Sequence, residues 1–406
     1  MRRRIVLQSL VSLPFTSQIL TSYPQPSIAF AAASGETNTN TNSVQPQPQQ
    51  PNLDCLADLP PIPTNCVRLY LCRHGQTEYN RLKKIQGSRI DAPLNNTGRK
   101  QATRMGKALS HAPNTITMMM KYQQQSQQSQ QSHLLQQIAA HSNLLRARET
   151  ADIATTTLEA MIHKSNDSAY LGSSGSDKDN NDETTIKFIN DTIEKRNNHI
   201  LQQTTTKKNH NDHPLIKLQS LSTLGEVDFG PLNEGKSSTI AKAEMLKTYA
   251  SWSLGDIDST LGGSGESGRD VLTRAASALS SLTQIALENG SATAAAVGDG
   301  GGGEGGSSHI NSTSSVIAVS HSTYLRMMLA LVLDIPLSQA ATMEQKNCCI
   351  NVLDVSLVET KEVNSKSNLF AGVGGMNPIV PQDFQLTIPR VDVVRMNEKQ
   401  HLIGLD

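Results

Sequence analysis

Apolar positions along this chain gather in short runs that stop abruptly. VRLYLC (67–72), VIAVSH (316–321) and INVLDVSLV (350–358) are rich in β-branched and apolar residues, the pattern of strands buried on both faces. Between these runs the period changes. Ala102, Met105 and Leu109 fall at helical spacing within 97–110, and LLRARETADIATTTLEAMI (144–162) reads as a helix that Ser142 or Asn143 can cap. PLIKLQSLSTLGEVDFG (214–230) restores apolar patterning, and a helix with Trp252 near its end follows. GGSGESGRDVLTRAASALSSLTQIALE (262–288) is a Gly-rich turn into a long helix, and LRMMLALVL (325–333) reads as a buried helix. Strand and helix in alternation predict an α/β domain with a mainly parallel sheet.

Polar tracts interrupt the pattern. The 406 residues are only 37% hydrophobic and 3% aromatic, and the deficit is local. Residues 36–64 are rich in Thr, Asn, Gln and Pro and read as a disordered linker. Three low-complexity inserts are expected near 114–137 (glutamine-rich), 164–213 (Asn, Asp, Ser, Thr and Lys) and 289–313 (Gly-rich). Setting these aside leaves on the order of 220 residues, enough for one well-buried domain, so 65–406 is expected to be a single domain with surface inserts. Residues 1–35 are Arg-led, Ser/Thr-rich, free of acidic residues and end in small residues. They are expected to be a targeting peptide, directed to a plastid, with the secretory pathway as the alternative. No later segment is long and apolar enough to span a bilayer as a helix.

Charge and cysteine content narrow the functional classes. With 36 basic and 36 acidic residues, bulk electrostatics favour no nucleic-acid partner. The five cysteines, Cys55, Cys66, Cys72, Cys348 and Cys349, have neither disulfide-scaffold nor zinc spacing and read as buried thiols. The histidines of HAPN and NHND lack ligand spacing, so no metal site and no cofactor is assigned. The N-x-S/T sequons at Asn95, Asn166, Asn190, Asn289 and Asn311 matter only for a secreted chain.

Two apolar runs end in histidine, at His74 and His321. In open α/β sheets, ligands bind beyond the carboxyl ends of the strands. Arg73 adjoins the first histidine, and Arg146 and Arg148 open a predicted helix, where backbone N–H groups and the dipole favour an anion. The planar guanidinium fork matches phosphate oxygens. An imidazole ringed by arginines has its cation disfavoured and can attack phosphorus as a neutral nucleophile. Glu226, in a Gly-punctuated loop, is the candidate proton donor to a leaving alkoxide, with a surface or helix-capping glutamate as the bland reading. A cysteine-dependent phosphatase would need an arginine six residues after Cys72. Glu78 stands there, which excludes that chemistry.

RHGQTEYN (73–80), IQGSRIDAPLNNTGRKQA (85–102), SNLLRARETA (142–151), LGEVDFGPLNEG (224–235), GGSGESGRDVLTR (262–274) and VSHSTYLR (319–326) resemble, in order, the motifs of the histidine phosphatase superfamily, the phosphoglycerate mutase-like enzymes. The resemblance implies a three-layer α/β/α sandwich. It makes His74 the nucleophile in a pocket of Arg73, Arg146 and His321, with Glu226 as proton donor and Arg148 at a variable position. It further implies phosphate contacts from Asn80, Gln86, Gly87 and Ser322. The function expected is hydrolysis of a small phosphomonoester through a phosphohistidine. The alternatives are a phosphoglycerate mutase using the same intermediate and a non-catalytic phosphate-binding protein. Two departures stand out: Ser322 and Thr323 replace the small residues that often follow the second histidine, and Ser264 replaces a glycine in GGSGES. No oligomeric state is assigned.

Overall fold

A computed structural model describes residues 50–113, 137–171, 215–296, 314–370 and 383–405. The expected targeting peptide, residues 36–49 of the expected linker and the bulk of the three polar inserts lie outside the described residues.

Six strands form one sheet: β1 Cys66–Arg73, β2 Gln137–His141, β3 Ile216–Ser220, β4 Ser315–Ser320, β5 Ile350–Asn364 and β6 Gln385–Glu398. Their spatial order is β3-β2-β4-β1-β5-β6. The pairs β1–β4, β2–β3 and β2–β4 are parallel, while β5 joins β1 antiparallel and β6 joins β5 antiparallel. The fold is therefore α/β with a mixed, mostly parallel sheet. Its main helices are α1 Glu78–Arg81, α2 Asn96–Ser110, α3 Leu145–Leu171, α4 Ser238–Ser253, α5 Gly268–Ala296 and α6 Ser322–Leu333.

The pleat of β1 assigns the helices to two faces. Val67, Leu69 and Leu71 enter one core with Trp252 of α4, Val271 and Leu272 of α5, and Leu325 and Met328 of α6. Tyr70 and Cys72 enter the other with Met105 and Leu109 of α2 and Leu158 of α3. Strand side chains alternate between faces, so the unbroken apolar run VRLYLC is what a strand covered on both sides requires.

Three expectations are corrected. Residues 51–64, read as linker, are packed: Cys55, Leu56, Leu59 and Ile62 are all buried, and Leu56 and Leu59 join the α2–α3 core. The arm turns over 53–58 and then runs through its prolines along the domain, burying one apolar side chain every few residues. The boundaries of two inserts also shift, because α3 and α5 run on to Leu171 and Ala296. Asn289, placed in an insert and in a sequon, is buried on α5. Its Nδ2 donates to the carbonyls of Ile138 and Ser315, and its Oδ1 accepts from Ile138 N–H, so it fastens α5 to β2 and β4. Finally, α3 is not capped by Ser142 or Asn143: its first N–H, from Leu145, goes to Asp91 Oδ1 at 2.6 Å.

Candidate active site

The carboxyl ends of the parallel strands are laced together. His74 N–H donates to Ser320 O (2.9 Å), Ser142 N–H to Val319 O (3.0 Å) and Leu221 N–H to His141 O (2.8 Å). Arg73 and Ser320 are register partners, so the residues that follow them, His74 and His321, emerge side by side. Their rings lie 5.1 Å apart at 54°. The turn before β5 supports the same point from the other side. Arg73 N–H donates to Cys349 O, Cys348 N–H to His74 O, and Asn347 Nδ2 donates to both His74 O and Asn80 Oδ1 (3.1 Å each).

His74 is 3% exposed and its tautomer follows from one contact. Nδ1 lies 2.7 Å from the carbonyl oxygen of Gly75. A carbonyl only accepts, so Nδ1 carries the proton and Nε2 keeps the lone pair. Burial holds the imidazole well below the ordinary histidine range, and the charges of Arg146 and Arg73 add to this. His321, fully buried, is depressed for the same leading reason. Its Nε2 is 2.8 Å from Ser142 Oγ, and its Nδ1 has no hydrogen-bond partner.

The two arginines are each anchored at one end. Arg146, second residue of α3, donates from Nη1 to Ile90 O (2.7 Å) and from Nη2 to Gly87 O (3.1 Å). Arg73 donates from Nη1 to Gln345 O at 2.5 Å. The Nε of both is enclosed without a partner. Burial pulls both below the ordinary guanidinium value, Arg146 to about 10. Arg148, two residues on, is exposed to solvent.

Glu226 is 6% exposed. Its Oε1 accepts the N–H of Val227 and of Tyr324 (3.0 Å each), and Oε2 that of Thr323 (3.4 Å). It thus caps α6, the helix that follows His321, so the bland helix-capping reading and the candidate-site reading describe one position. The loop is held by Arg274. That residue donates to Thr223 O (3.2 Å) and Gly225 O (2.7 Å), while Glu266 grips its Nε and Nη2 at 2.8 Å each. GGSGES is therefore the brace of the Glu226 loop.

The remaining expected residues are less direct. Asn80 Oδ1 accepts Thr77 N–H in a capping box on α1, as well as Asn347 Nδ2, so its oxygen is engaged. Gln86 Oε1 takes the Thr77 hydroxyl at 2.7 Å while its Nε2 is buried without a partner. Gly87 contributes its carbonyl to Arg146, and a Cβ there would meet Glu234 Oε1 at 2.2 Å. Ser322 opens α6 and is partly exposed. A Cβ on Gly75 would lie 2.6 Å from Gly98 O, so Gly75 is small to admit the first turn of α2. Residue patterning missed Thr150, which accepts Gly75 N–H and donates to Arg146 O, although it stands in the RARET motif. It also missed Gln345 and Asn347, which act by backbone and amide contacts that leave no pattern.

Comparison with known proteins gives this arrangement its relatives. The family described as Histidine phosphatase superfamily (branch 1) matches residues 69–167 and 307–364. Fructose-2,6-bisphosphatase TIGAR B of Danio rerio is 51% identical over 41 residues, 10% of this chain and 16% of that protein. A broad-specificity phosphatase of Saccharomyces cerevisiae is 49% identical over 45 residues, 11% and 19% respectively. These aligned segments span less than a fifth of either relative. Among solved structures, a mycobacterial glucosyl-3-phosphoglycerate phosphatase complexed with VO3 superposes with a TM-score of 0.42 at 16% identity, covering 82% of this chain and 99% of that one. Residues 69–167 and 307–364, the parts the family match covers, belong to branch 1 of the histidine phosphatase superfamily, which is phosphoglycerate mutase-like.

Proposed function

We propose that the protein hydrolyses small phosphomonoesters through a phosphohistidine on His74. The observation that carries this reading is the fixed tautomer: Nδ1–H is committed to Gly75 O, and Nε2 is left as the lone pair beside two arginines and a second imidazole. Nε2 attacks phosphorus as the ester P–O bond breaks, and Glu226 gives the departing alkoxide its proton. Water, losing a proton to Glu226, then attacks phosphorus, the P–N bond breaks, and phosphate leaves with His74 restored. Arg73 Nε and Arg146 Nε are buried donors and His321 Nδ1 a buried ring nitrogen, none with a partner among the described residues. Buried donors of this kind normally find partners, and the three equatorial oxygens of a transferring phosphoryl group are the partners they suit. Cys72 is no competitor, since burial pushes its thiol well above the ordinary value.

The names of the two curated relatives, a fructose-2,6-bisphosphatase and a broad-specificity phosphatase, support a phosphatase over a mutase and a small phosphorylated substrate. The test is a panel of esters containing fructose 2,6-bisphosphate and 3-phosphoglycerate, with free phosphate and 2-phosphoglycerate followed together. Phosphate release that disappears in His74→Ala is expected. Isomer formation without phosphate would replace the hydrolase by a mutase, and release unchanged in His74→Ala would remove His74 from the chemistry. We carry residues 1–35 into the same proposal as a plastid-directing peptide. A fluorescent fusion that enters the secretory pathway would overturn that part.

A further inference from the structure

Away from the phosphate pocket, Cys55, Glu398 and His401 bring their ligand atoms within 4.8 Å of one another, the one such group of three among the described residues. Cys55 lies on the N-terminal arm and His401 in the closing turn of the domain. The pair is 346 residues apart in sequence, which is why ligand spacing along the chain gave no sign of it. Cys55 Sγ is 3.8 Å from His401 Nδ1. A thiolate and an imidazole on one tetrahedral zinc ion sit about 3.6 Å apart, so the two are nearly at ligand separation already.

The imidazole is also oriented for this task. His401 Nε2 is 3.0 Å from Cys348 O, and since the carbonyl only accepts, Nε2 bears the proton and Nδ1 turns its lone pair towards the thiol. Metal-bound histidines as a rule hand their second N–H to a carbonyl or carboxylate in this way. Cys55 and His401 are buried, while Glu398 is part-exposed, giving two inner ligands and a carboxylate at the rim. The nearest competing cation is Arg395, 3.6 Å from Glu398. Arg395 also donates to Cys55 O and to Asp58, and Glu398 Oε1 accepts the N–H of Gln400 at 2.8 Å, so the carboxylate meets an ion through its remaining lone pairs.

We propose that Cys55, Glu398 and His401 bind a zinc-class divalent ion, with solvent completing the coordination. Sulfur with nitrogen selects such a borderline ion over magnesium or calcium. The site staples the arm to the C-terminal turn. It also reaches the phosphate pocket through two backbone links: His401 Nε2–H to Cys348 O, and Cys348 N–H to His74 O.

The test uses the full chain without a histidine tag, stripped with chelator and titrated with Co2+. One equivalent gives a thiolate-to-cobalt charge-transfer band that Zn2+ displaces, and Zn2+ in hundredfold excess over its Kd raises Tm by roughly 5 °C or more. Cys55→Ser abolishes the band. Glu398→Gln, nearly isosteric and at the rim, weakens cobalt binding at least about tenfold. Cys66→Ser, away from the site, changes neither reading. Folded wild-type protein without the band overturns the proposal, and so does a band that survives Cys55→Ser. Should Cys55→Ser fail to melt cooperatively, cobalt affinity unchanged in Glu398→Gln overturns it alone.

Discussion

Arg68 and Arg73 stand on one strand, five positions apart, and their surroundings are opposite. Arg68, fully buried, gives Nε and Nη2 to the two oxygens of Asp354 at 2.7 Å each and Nη1 to Pro60 O at 2.8 Å. Burial works against its charge, but the paired carboxylate outweighs it, and Arg68 ends above the ordinary guanidinium value. Arg73, half-buried, gives Nη1 to a carbonyl and has no carboxylate in an ion pair among the described residues, and it ends below that value. The first arginine has its hydrogen-bonding capacity consumed inside the fold. The second is held in place with capacity to spare. A buried charge with satisfied partners is architecture, while one supported from behind and open in front is prepared for an anion from outside.

Exchanging each arginine for methionine separates the two roles. Arg73→Met is expected to lower kcat/KM by about 10³-fold, the scale of removing one donor from a developing oxyanion, with Tm unchanged or raised because an uncompensated cation has gone. Arg68→Met does the reverse. It leaves Asp354 buried and unpaired at a cost of about 3–5 kcal/mol, read as a drop in the urea midpoint, while activity per folded molecule stays within about threefold. Adding Asp354→Leu to Arg68→Met returns most of that stability. If the two single variants lose activity equally per folded molecule, the comparison fails.

Acid sharpens it further. Burial keeps His74, His141, His321 and His401 below the ordinary range in the folded state, His401 at about 4. Unfolded, each takes up its proton near pH ~6.5. Between those values the unfolded chain binds more protons, so stability is complete above about pH 6.5 and falls as pH drops. His401 alone removes about 3 kcal/mol by pH ~4. Chemical denaturation in chelator at descending pH measures this, and a midpoint constant to pH ~5 would contradict neutral buried imidazoles. The smallest expected effect is at Arg148. Because it faces solvent, Arg148→Ala should change kcat/KM less than about twofold, in contrast with its neighbour Arg146.

The parts of this arrangement legible from residues alone were those with a local signature. Apolar runs ending in His74 and His321 announced β1 and β4, while Arg146 and Arg148 stood as equals until the family resemblance of SNLLRARETA singled out Arg146. What escaped depended on long-range partners. β6, QLTIPRVDVVRMNE, is an edge strand with charges on its open side and Pro389 near a register shift, features that disguise a strand by design. β2 spans five residues directly after the glutamine tract, too few to show a period. Gln345 and Asn347 reach Arg73 and His74 across more than 270 positions, and a carbonyl or amide contact of that kind has no compositional trace.

The direction in which the strands run separates the long polar inserts from the paired histidines. Each major polar insert falls between a helix and the strand after it: α2 to β2, α3 to β3 and α5 to β4. Those joints lie at the amino ends of the parallel strands. At the carboxyl ends, three residues join β2 to α3 and one, His321, joins β4 to α6, while the longer joint from β3 to α4 carries Glu226. The long inserts therefore attach at the end of the sheet remote from its paired histidines. One end is a place where a gene can experiment with length, and the other is where a change of single atoms is felt.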